Sequence, residues 1–390
     1  MAIEPQPRGT GYVTHEHVSH CEHGPIINLG LGTSPIGAAP EFRAALSRRN
    51  TIEDLEAYPR DPLHTETKGY LVNYLGIEAS TSQVIFGGNG SYGTGDEVLR
   101  YLRQSHGCDR IVTLPYSFPN ATQWAIRHGV DYSPIKIDSL SWEKGLESMY
   151  EIESFDGAVV YIDYPNNPSG NSLSQLVSGL IPLINQRGGI PFIDMAFAEV
   201  LGPEFKAVAN TTINNGGIII GSVSKTQGLP GLRAGWIVLA EEHTNNGYSL
   251  EQQLVFGMNR EAEEVMKVLY SPSLGTNETL ADIHAIRVAR HNVIVNLEME
   301  QIVRGMGLLL VPSDHRTSIQ VVYDPAGRNL YQSFNRAGVI VESLQDYSGT
   351  LPVNQQGYGD SAVRILTPNF SKLDAFCERT KVVLSYLHNS

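Results

Sequence analysis

In the stretch Ser222-Val223-Ser224-Lys225-Thr226-Gln227-Gly228-Leu229-Pro230-Gly231-Leu232-Arg233-Ala234-Gly235, a lysine follows two small hydroxyl residues and an arginine stands eight residues further on. A lysine that forms a Schiff base must be held rather than solvated. Hydroxyl and guanidinium donors beside it can fix a phosphate, and the intervening glycines permit close backbone approach. The plain alternative is a surface loop with an ordinary lysine. Two further stretches bear on the choice. Tyr164-Pro165-Asn166-Asn167-Pro168-Ser169-Gly170 follows the apolar run Ala158–Ile162, and Ile193-Asp194-Met195-Ala196-Phe197 follows the next such run. An aspartate at the end of a buried strand either caps a helix or partners a buried cation. Taken alone, capping is the simpler reading.

These residues need elements that bring them to one edge. Apolar runs at Val84–Phe86, Ile111–Leu114, Ala158–Ile162, Pro191–Ile193, Ile218–Ile220 and Trp236–Leu239 are each bounded by turn residues. Helical spacing lies between several of them, as in Leu173, Leu176, Val177, Leu180 and Ile184. It also precedes them, in Leu71, Tyr74 and Leu75 with Gly76 as a C-cap. Short buried strands alternating with helices predict an α/β domain whose sheet is largely parallel and whose carboxyl edge carries ligand groups. Gly88-Asn89-Gly90-Ser91-Tyr92, between a strand and a helix, is a weak anion-site signal by itself. From about residue 275 the pattern changes: one long helix over 276–305, strands at 317–323, 338–342 and Ala362–Leu366, and a last helix over 371–387. This reading divides the chain into an arm (1–27), a large domain (46–274) and a small α+β domain (28–45 plus 275–390).

The chain has 390 residues, 41% hydrophobic and 18% charged, which excludes disorder. Asp+Glu number 41 against 28 Lys+Arg, a net charge of −13 that argues against nucleic acid or an anionic membrane as partner. Cys21, Cys108 and Cys377 are too sparse for a disulfide framework, the start reads as no signal peptide, and no apolar stretch is long enough to span a membrane. A cytoplasmic protein is expected. His15, His17, His20 and His23 cluster around Cys21 but match no closed zinc pattern, so no metal is expected. The arm, with Glu16, His17 and His23, either is solvated or lies across a neighbouring surface such as the pocket.

The three chemical stretches, in this order, resemble the fold-type I pyridoxal-phosphate (PLP) enzymes of the aminotransferase class I/II group. Within it they are most similar to the histidinol-phosphate aminotransferase and threonine-phosphate decarboxylase branch, over roughly residues 28–370. The resemblance implies an aspartate aminotransferase-like fold, with a mostly parallel seven-stranded sheet and a small α+β domain. It implies that Lys225 carries the Schiff base and works as acid/base at Cα, that Asp194 keeps the pyridine nitrogen protonated, and that Asn167 donates to O3′. Ser222, Arg233 and the backbone of Gly90, Ser91 and Tyr92 would hold the phosphate. Phe118 would stack on the ring, with Tyr116 the second choice. Arg364 would grip the substrate carboxylate, with Asn167, Gly32 and Thr33 alongside. Tyr58 would reach the phosphate of a neighbouring subunit, which implies a homodimer with shared sites.

Two departures bear on the reaction. Where the aminotransferase branch carries a tyrosine three residues after the aspartate, this chain has Phe197, so O3′ has one donor fewer. The usual Asn-Glu-Asn-Pro segment reads Gly32-Thr33-Ser34-Pro35, so the substrate side chain does not carry over. The resemblance therefore implies an aminotransferase acting on a free L-amino acid. The alternative is a lyase, a decarboxylase or a capreomycidine-synthase-like cyclase that spends the same Cα carbanion on a hydroxyarginine-type substrate. A DNA-binding regulator is disfavoured, because about 27 polar residues before the resemblance leave no room for a helix-turn-helix unit.

Overall fold

The computed structural model describes residues 20–30, 32–42, 64–137, 140–244, 258–273, 276–348 and 359–388. In chain order the strands are β1 (His20–Cys21), β2 (Gly24–Pro25), β3 (Ile27–Asn28), β4 (Val84–Gly88), β5 (Arg110–Thr113), β6 (Asp131–Pro134), β7 (Ala158–Asp163), β8 (Ile190–Asp194), β9 (Ile218–Ser222) and β10 (Ala234–Leu239). They continue as β11 (Leu309–Leu310), β12 (Ile319–Tyr323), β13 (Val339–Ile340), β14 (Glu342–Ser343) and β15 (Ala362–Leu366). The helices are α1 (Thr65–Leu75), α2 (Gly90–Ser105), α3 (Asn120–His128), α4 (Trp142–Tyr150), α5 (Ser174–Gln186), α6 (Pro203–Asn214), α7 (Arg260–Tyr270), α8 (Leu280–Gly305), α9 (Leu330–Arg336) and α10 (Phe370–His388).

The large sheet has seven strands in the order β4-β10-β9-β8-β7-β5-β6. All pairings are parallel except those of β10, which runs antiparallel to both β4 and β9. The strands are apolar almost throughout because both faces are covered, and the period of two splits each strand between two cores. In β7, Val160 and Ile162 pack on one side, while Val159 and Tyr161 pack on the other. The edge strand β6 reads Asp-Tyr-Ser-Pro and is half-exposed, so its sequence carries no apolar run by which to anticipate it.

A second core forms around the antiparallel sheet β11-β12-β15-β14, packed by α9, α10 and part of α8. Helix α8 serves both cores: Ala281 and Val288 pack with the large sheet, Val295, Met299 and Val303 with the small one. It starts later than the spacing predicts. Thr279 and Asp282 form a capping box, satisfying the first backbone N–H groups and leaving 276–279 outside the helix. The predicted strand over 338–342 is two short strands: β13 pairs with β3, and β14 pairs with β15.

The described part of the N-terminal arm is a small hairpin on α10. Arg379 donates to Cys21 Sγ and Pro25 O, and His23 lies 3.1 Å from the Tyr386 hydroxyl. His15, Glu16 and His17 lie outside the described residues. Among the described residues no group of His, Cys, Asp and Glu could hold a metal ion, and no helix is long and apolar enough to cross a membrane.

One contact ties the two units together beside the site. Gly170 has φ +73°, and a Cβ there would stand 2.1 Å from the Ile319 carbonyl oxygen. Its own carbonyl accepts from Asp314 N and Thr317 Oγ1, which fastens the Tyr164–Gly170 loop to the small sheet. A Gly170→Ala variant therefore combines a left-handed backbone with a backbone clash. It should lose at least about 2 kcal/mol of stability by urea unfolding. A wild-type midpoint would show that the loop yields freely.

Candidate active site

The reversed strand explains how distant segments meet. β4, β7, β8 and β9 point their carboxyl ends at one edge, and β10 begins at that same edge because it runs the other way. Arg233, just before β10, thus lies beside Gly88 and Ser222, which end β4 and β9. α2 starts in the same place. Gly90 N donates to Arg233 O at 3.0 Å, and Arg233 Nη2 donates to Asn89 O at 2.6 Å. A Cβ on Gly235 would lie 2.7 Å from the Gly90 backbone, so the helix start can seat on β10 only over a glycine.

The result is a cradle for an anion. The first N–H groups of α2 face it from a helix N-terminus. Ser224 Oγ is buried with no hydrogen-bond partner among the described residues and would lie 3.4 Å from a Cβ on Gly90. Ser222 Oγ accepts from Ser224 N at 3.4 Å. The unsatisfied Ser224 hydroxyl is the observation that a phosphate fits, and it adds a residue to those expected from the sequence. Tyr92 can contribute only its backbone, because its hydroxyl is engaged by Gln123 and Arg127.

Lys225 follows β9 in a tight turn closed by Gly228 N to Lys225 O and Leu229 N to Val223 O. Its amine lies 5.2 Å from the centre of the Phe197 ring, and a Cβ on Gly32 would come within 3.0 Å of Nζ. Burial, then the neighbouring charge of Arg364, pushes its pKa down from 10.5 to about 8, against the opposing pull of Glu342 and Asp194. Asp194 ends β8. Its Oδ1 accepts from Ala196 N at 2.9 Å and its Oδ2 from the Tyr161 hydroxyl at 3.1 Å. Burial raises its pKa from 3.8 to about 6, while these hydrogen bonds and the Lys225 charge act the other way. Asp194 therefore closes a turn and faces a cation; it does not cap a helix, since the next helical turn (Ala198–Leu201) has Phe197 at its N-cap with no side-chain hydrogen bond.

Asp163 ends β7 directly opposite Asp194 in the parallel register. It was not singled out from the sequence. It accepts from Asn167 N, Phe118 N, Ser117 Oγ and Asn166 Nδ2, pinning both the Pro115–Asn120 loop and the Asn167 loop to the sheet edge. Tyr116 and Phe118 are both half-buried beside Val311, Val321 and Leu344. Tyr116, with φ 56°, is the strained member of the pair. Phe118 is tied to the sheet edge through its backbone N–H, which donates to Asp163 Oδ2.

Arg364, on β15, reaches the same site from the small sheet and is almost fully buried. Its Nη1 donates to Asn167 Oδ1 at 3.1 Å, and its Nη2 to the Gly30 carbonyl and to Glu342 Oε1, the latter at 2.9 Å. Tyr347 lies under the guanidinium, 5.8 Å from its ring centre, and donates to Glu342 Oε2. Glu342 and Tyr347 were missed because they sit in a small domain where no motif marks them. Thr33 is exposed, and Tyr58 lies outside the described residues.

A buried lysine, an aspartate and a phosphate cradle on the carboxyl edge of this seven-stranded sheet define a fold-type I PLP enzyme. The comparisons give the family. The family model for aminotransferase class I and II matches residues 24–298, and the chain belongs to that family. A histidinol-phosphate aminotransferase of Methanocaldococcus jannaschii is 20% identical over 364 residues, covering 92% of this chain and 90% of that protein. Its counterpart in Methanococcus maripaludis is 24% identical over 242 residues, so the match spans 61% of this chain and only 62% of that relative's length. Among solved structures, histidinol-phosphate aminotransferase from Sinorhizobium meliloti in complex with PLP aligns with a TM-score of 0.70 at 20% identity, covering 93% and 92% of the two chains. MppP soaked with the product 2-ketoarginine aligns with a TM-score of 0.70 at 17% identity, over 93% and 99%.

The lowered lysine pKa has a stability consequence. With a folded value of about 8 below the unfolded 10.5, the cost of the charged amine is absent above pH 10.5, grows as pH falls and is complete below 8. In the cofactor-free protein, Lys225→Met should raise stability at pH 7 by about 1–2 kcal/mol, after allowance for partial exposure and the lost attraction to nearby carboxylates. The gain should fade above pH 8. A gain that does not depend on pH would mean that the methionine packs better and that the charge is not at issue.

Proposed function

We propose that the chain transfers the α-amino group of a free L-amino acid to a keto acid, using PLP held at Lys225. The observation that supports this most directly is that the Lys225 amine, at the end of β9, lies where the charges of Asp194 and Arg364 both act on it, with Gly32 beside the amine and Gly30 held by Arg364. PLP, when bound, supplies a carbonyl carbon for the amine to join and a ring that accepts the electron pair released at Cα. Ser222, Ser224, Arg233 and the start of α2 would hold its phosphate. Asp194 would hold a proton on the ring nitrogen, and Asn167 would face the ring oxygen.

Arg364 orients the substrate by its α-carboxylate. The Lys225 amine, with a pKa near 8, is suited to take the proton from Cα near neutral pH. Returning that proton to the cofactor's carbonyl carbon, across the amino nitrogen and two bonds from Cα, would make the outcome transamination. Phe197 and Gly32 crowd the amine and limit the water beside it. The same reading includes a homodimer whose sites are completed by Tyr58 of a second copy, a cytoplasmic location, and the division into a large domain (46–274) and a small one (28–45 plus 275–390).

Holoenzyme without keto acid, mixed with one amino acid at a time, should pass stoichiometrically to the pyridoxamine form and release one keto acid. The test follows cofactor absorbance together with product mass. Many turnovers, with a product lighter by water or carbon dioxide, would instead mean a cyclase, lyase or decarboxylase. Lys225→Ala should bind the cofactor without a covalent bond and lose hydrogen exchange at Cα, and full activity in that variant would end the assignment.

Phe197→Tyr tests the missing phenol. A restored donor near the ring oxygen should favour the deprotonated form of the bound cofactor and lower the pH midpoint of its absorbance. An unchanged midpoint would show that the position does not reach that oxygen.

A further inference from the structure

Arg364, the group assigned to the substrate carboxylate, already has a carboxylate of the protein's own. Glu342 is directly opposite it in the antiparallel pairing of β14 with β15, and the two side chains form an ion pair at 2.9 Å. The arginine side chain is 3% exposed and the glutamate 20%, so the glutamate is the member of the pair that still faces open space. Tyr347 holds its second oxygen, and its Cγ would lie 3.7 Å from a Cβ on Gly30. The pair belongs to the reacting end of the pocket: after burial, Arg364 and Glu342 are the two charges that act most on Lys225.

We propose that Glu342 is a specificity-determining residue that favours amino acids with a cationic side chain and rejects dicarboxylic ones. The inference rests on the reading of Arg364 as the α-carboxylate anchor. Counted in unit charges, Arg364 is balanced by Glu342 before any substrate enters. An arriving α-carboxylate shares one guanidinium with Glu342 and leaves that part of the pocket one charge negative. A second carboxylate on the substrate side chain deepens the imbalance, whereas a guanidinium or ammonium side chain cancels it. At separations of several ångströms in such a site the difference amounts to about tenfold or more in affinity. Glu342 thus imposes a charge filter where the neutral Gly32-Thr33-Ser34 segment offers none.

The test uses holoenzyme and two ligands that lack an α-amino group, so that binding is read without turnover. Glutarate carries a second carboxylate, and 4-guanidinobutanoate carries a guanidinium at a similar distance. Their dissociation constants, measured calorimetrically, should favour 4-guanidinobutanoate by about tenfold in the wild type. In Glu342→Gln, which keeps the side chain's shape and a Tyr347 contact, that preference should disappear. A Glu342→Gln variant that shifts both ligands by the same factor would show Glu342 to be only a counter-ion for Arg364, and the proposal would fail. Wild-type protein that binds neither ligand, or prefers glutarate, would also overturn it. None of these outcomes touches the transamination reading, which the single-turnover screen decides separately.

Discussion

An ammonium group taken out of water is costly unless charges and dipoles replace its hydration, and Lys225 is held where that cost is only partly met. Arg364 adds a second cation nearby, while Glu342 and Asp194 answer with two carboxylates. The amine is therefore pushed to about 8 without being stripped of its partners. Much of the surrounding architecture reads as a means of keeping four charges, two buried and two half-buried, in fixed positions. Tyr161 and Ala196 N fix Asp194, and Tyr347 fixes Glu342. Asn167 Oδ1 and the Gly30 carbonyl fix Arg364. Ala196 N and Tyr347 act locally, but Tyr161, Asn167 and Gly30 come from distant segments, so the charges are set mainly by the tertiary fold.

The sheet makes this arrangement possible through a single reversal. In a fully parallel sheet the loop after β9 would have to cross a face before its strand returned. Here β10 comes straight back, so Lys225 and Arg233 stay at one edge although they belong to opposite ends of one short connection. The glycines then follow from distance. Gly235 lets α2 press onto β10 and Gly170 lets the small sheet press onto the Asn167 loop, and in both places a Cβ would meet backbone atoms. Side chains can repack, but backbone cannot move aside without moving the site.

Much of this was legible in the sequence where burial and chemistry leave one-dimensional traces. The buried strands appear as runs such as Ala158–Ile162 because both faces are covered. Lys225, Asp194, Asn167, Arg233 and Arg364 stand in stretches where small and polar residues interrupt those runs. The half-exposed β6 left no such trace. Asp163 looked like one more strand-end residue, although it is the clamp for two loops. Ser224 stood in plain view beside Ser222. What marks it is an unsatisfied hydroxyl, which exists only after folding. Glu342 could not be read at all, since its meaning depends on a cross-strand register with Arg364, 22 positions further along the chain.

That dependence on register also bears on how substrate choice is built. Residues that perform the shared chemistry sit at the ends of the large-sheet strands, where packing on both faces leaves little freedom. The charge beside the substrate's carboxylate would be set by β14 and β15, whose strand pairing brings Glu342 to Arg364 and which pack with the smaller core. α8 is continuous through both cores, so a change in the small sheet can alter the charge that faces the substrate without displacing Lys225 or Asp194. Reaction type and substrate charge are thus carried by different parts of one rigid frame. On the proposed reading Arg364 joins them, because it would take the carboxylate common to every amino acid while it pairs with Glu342.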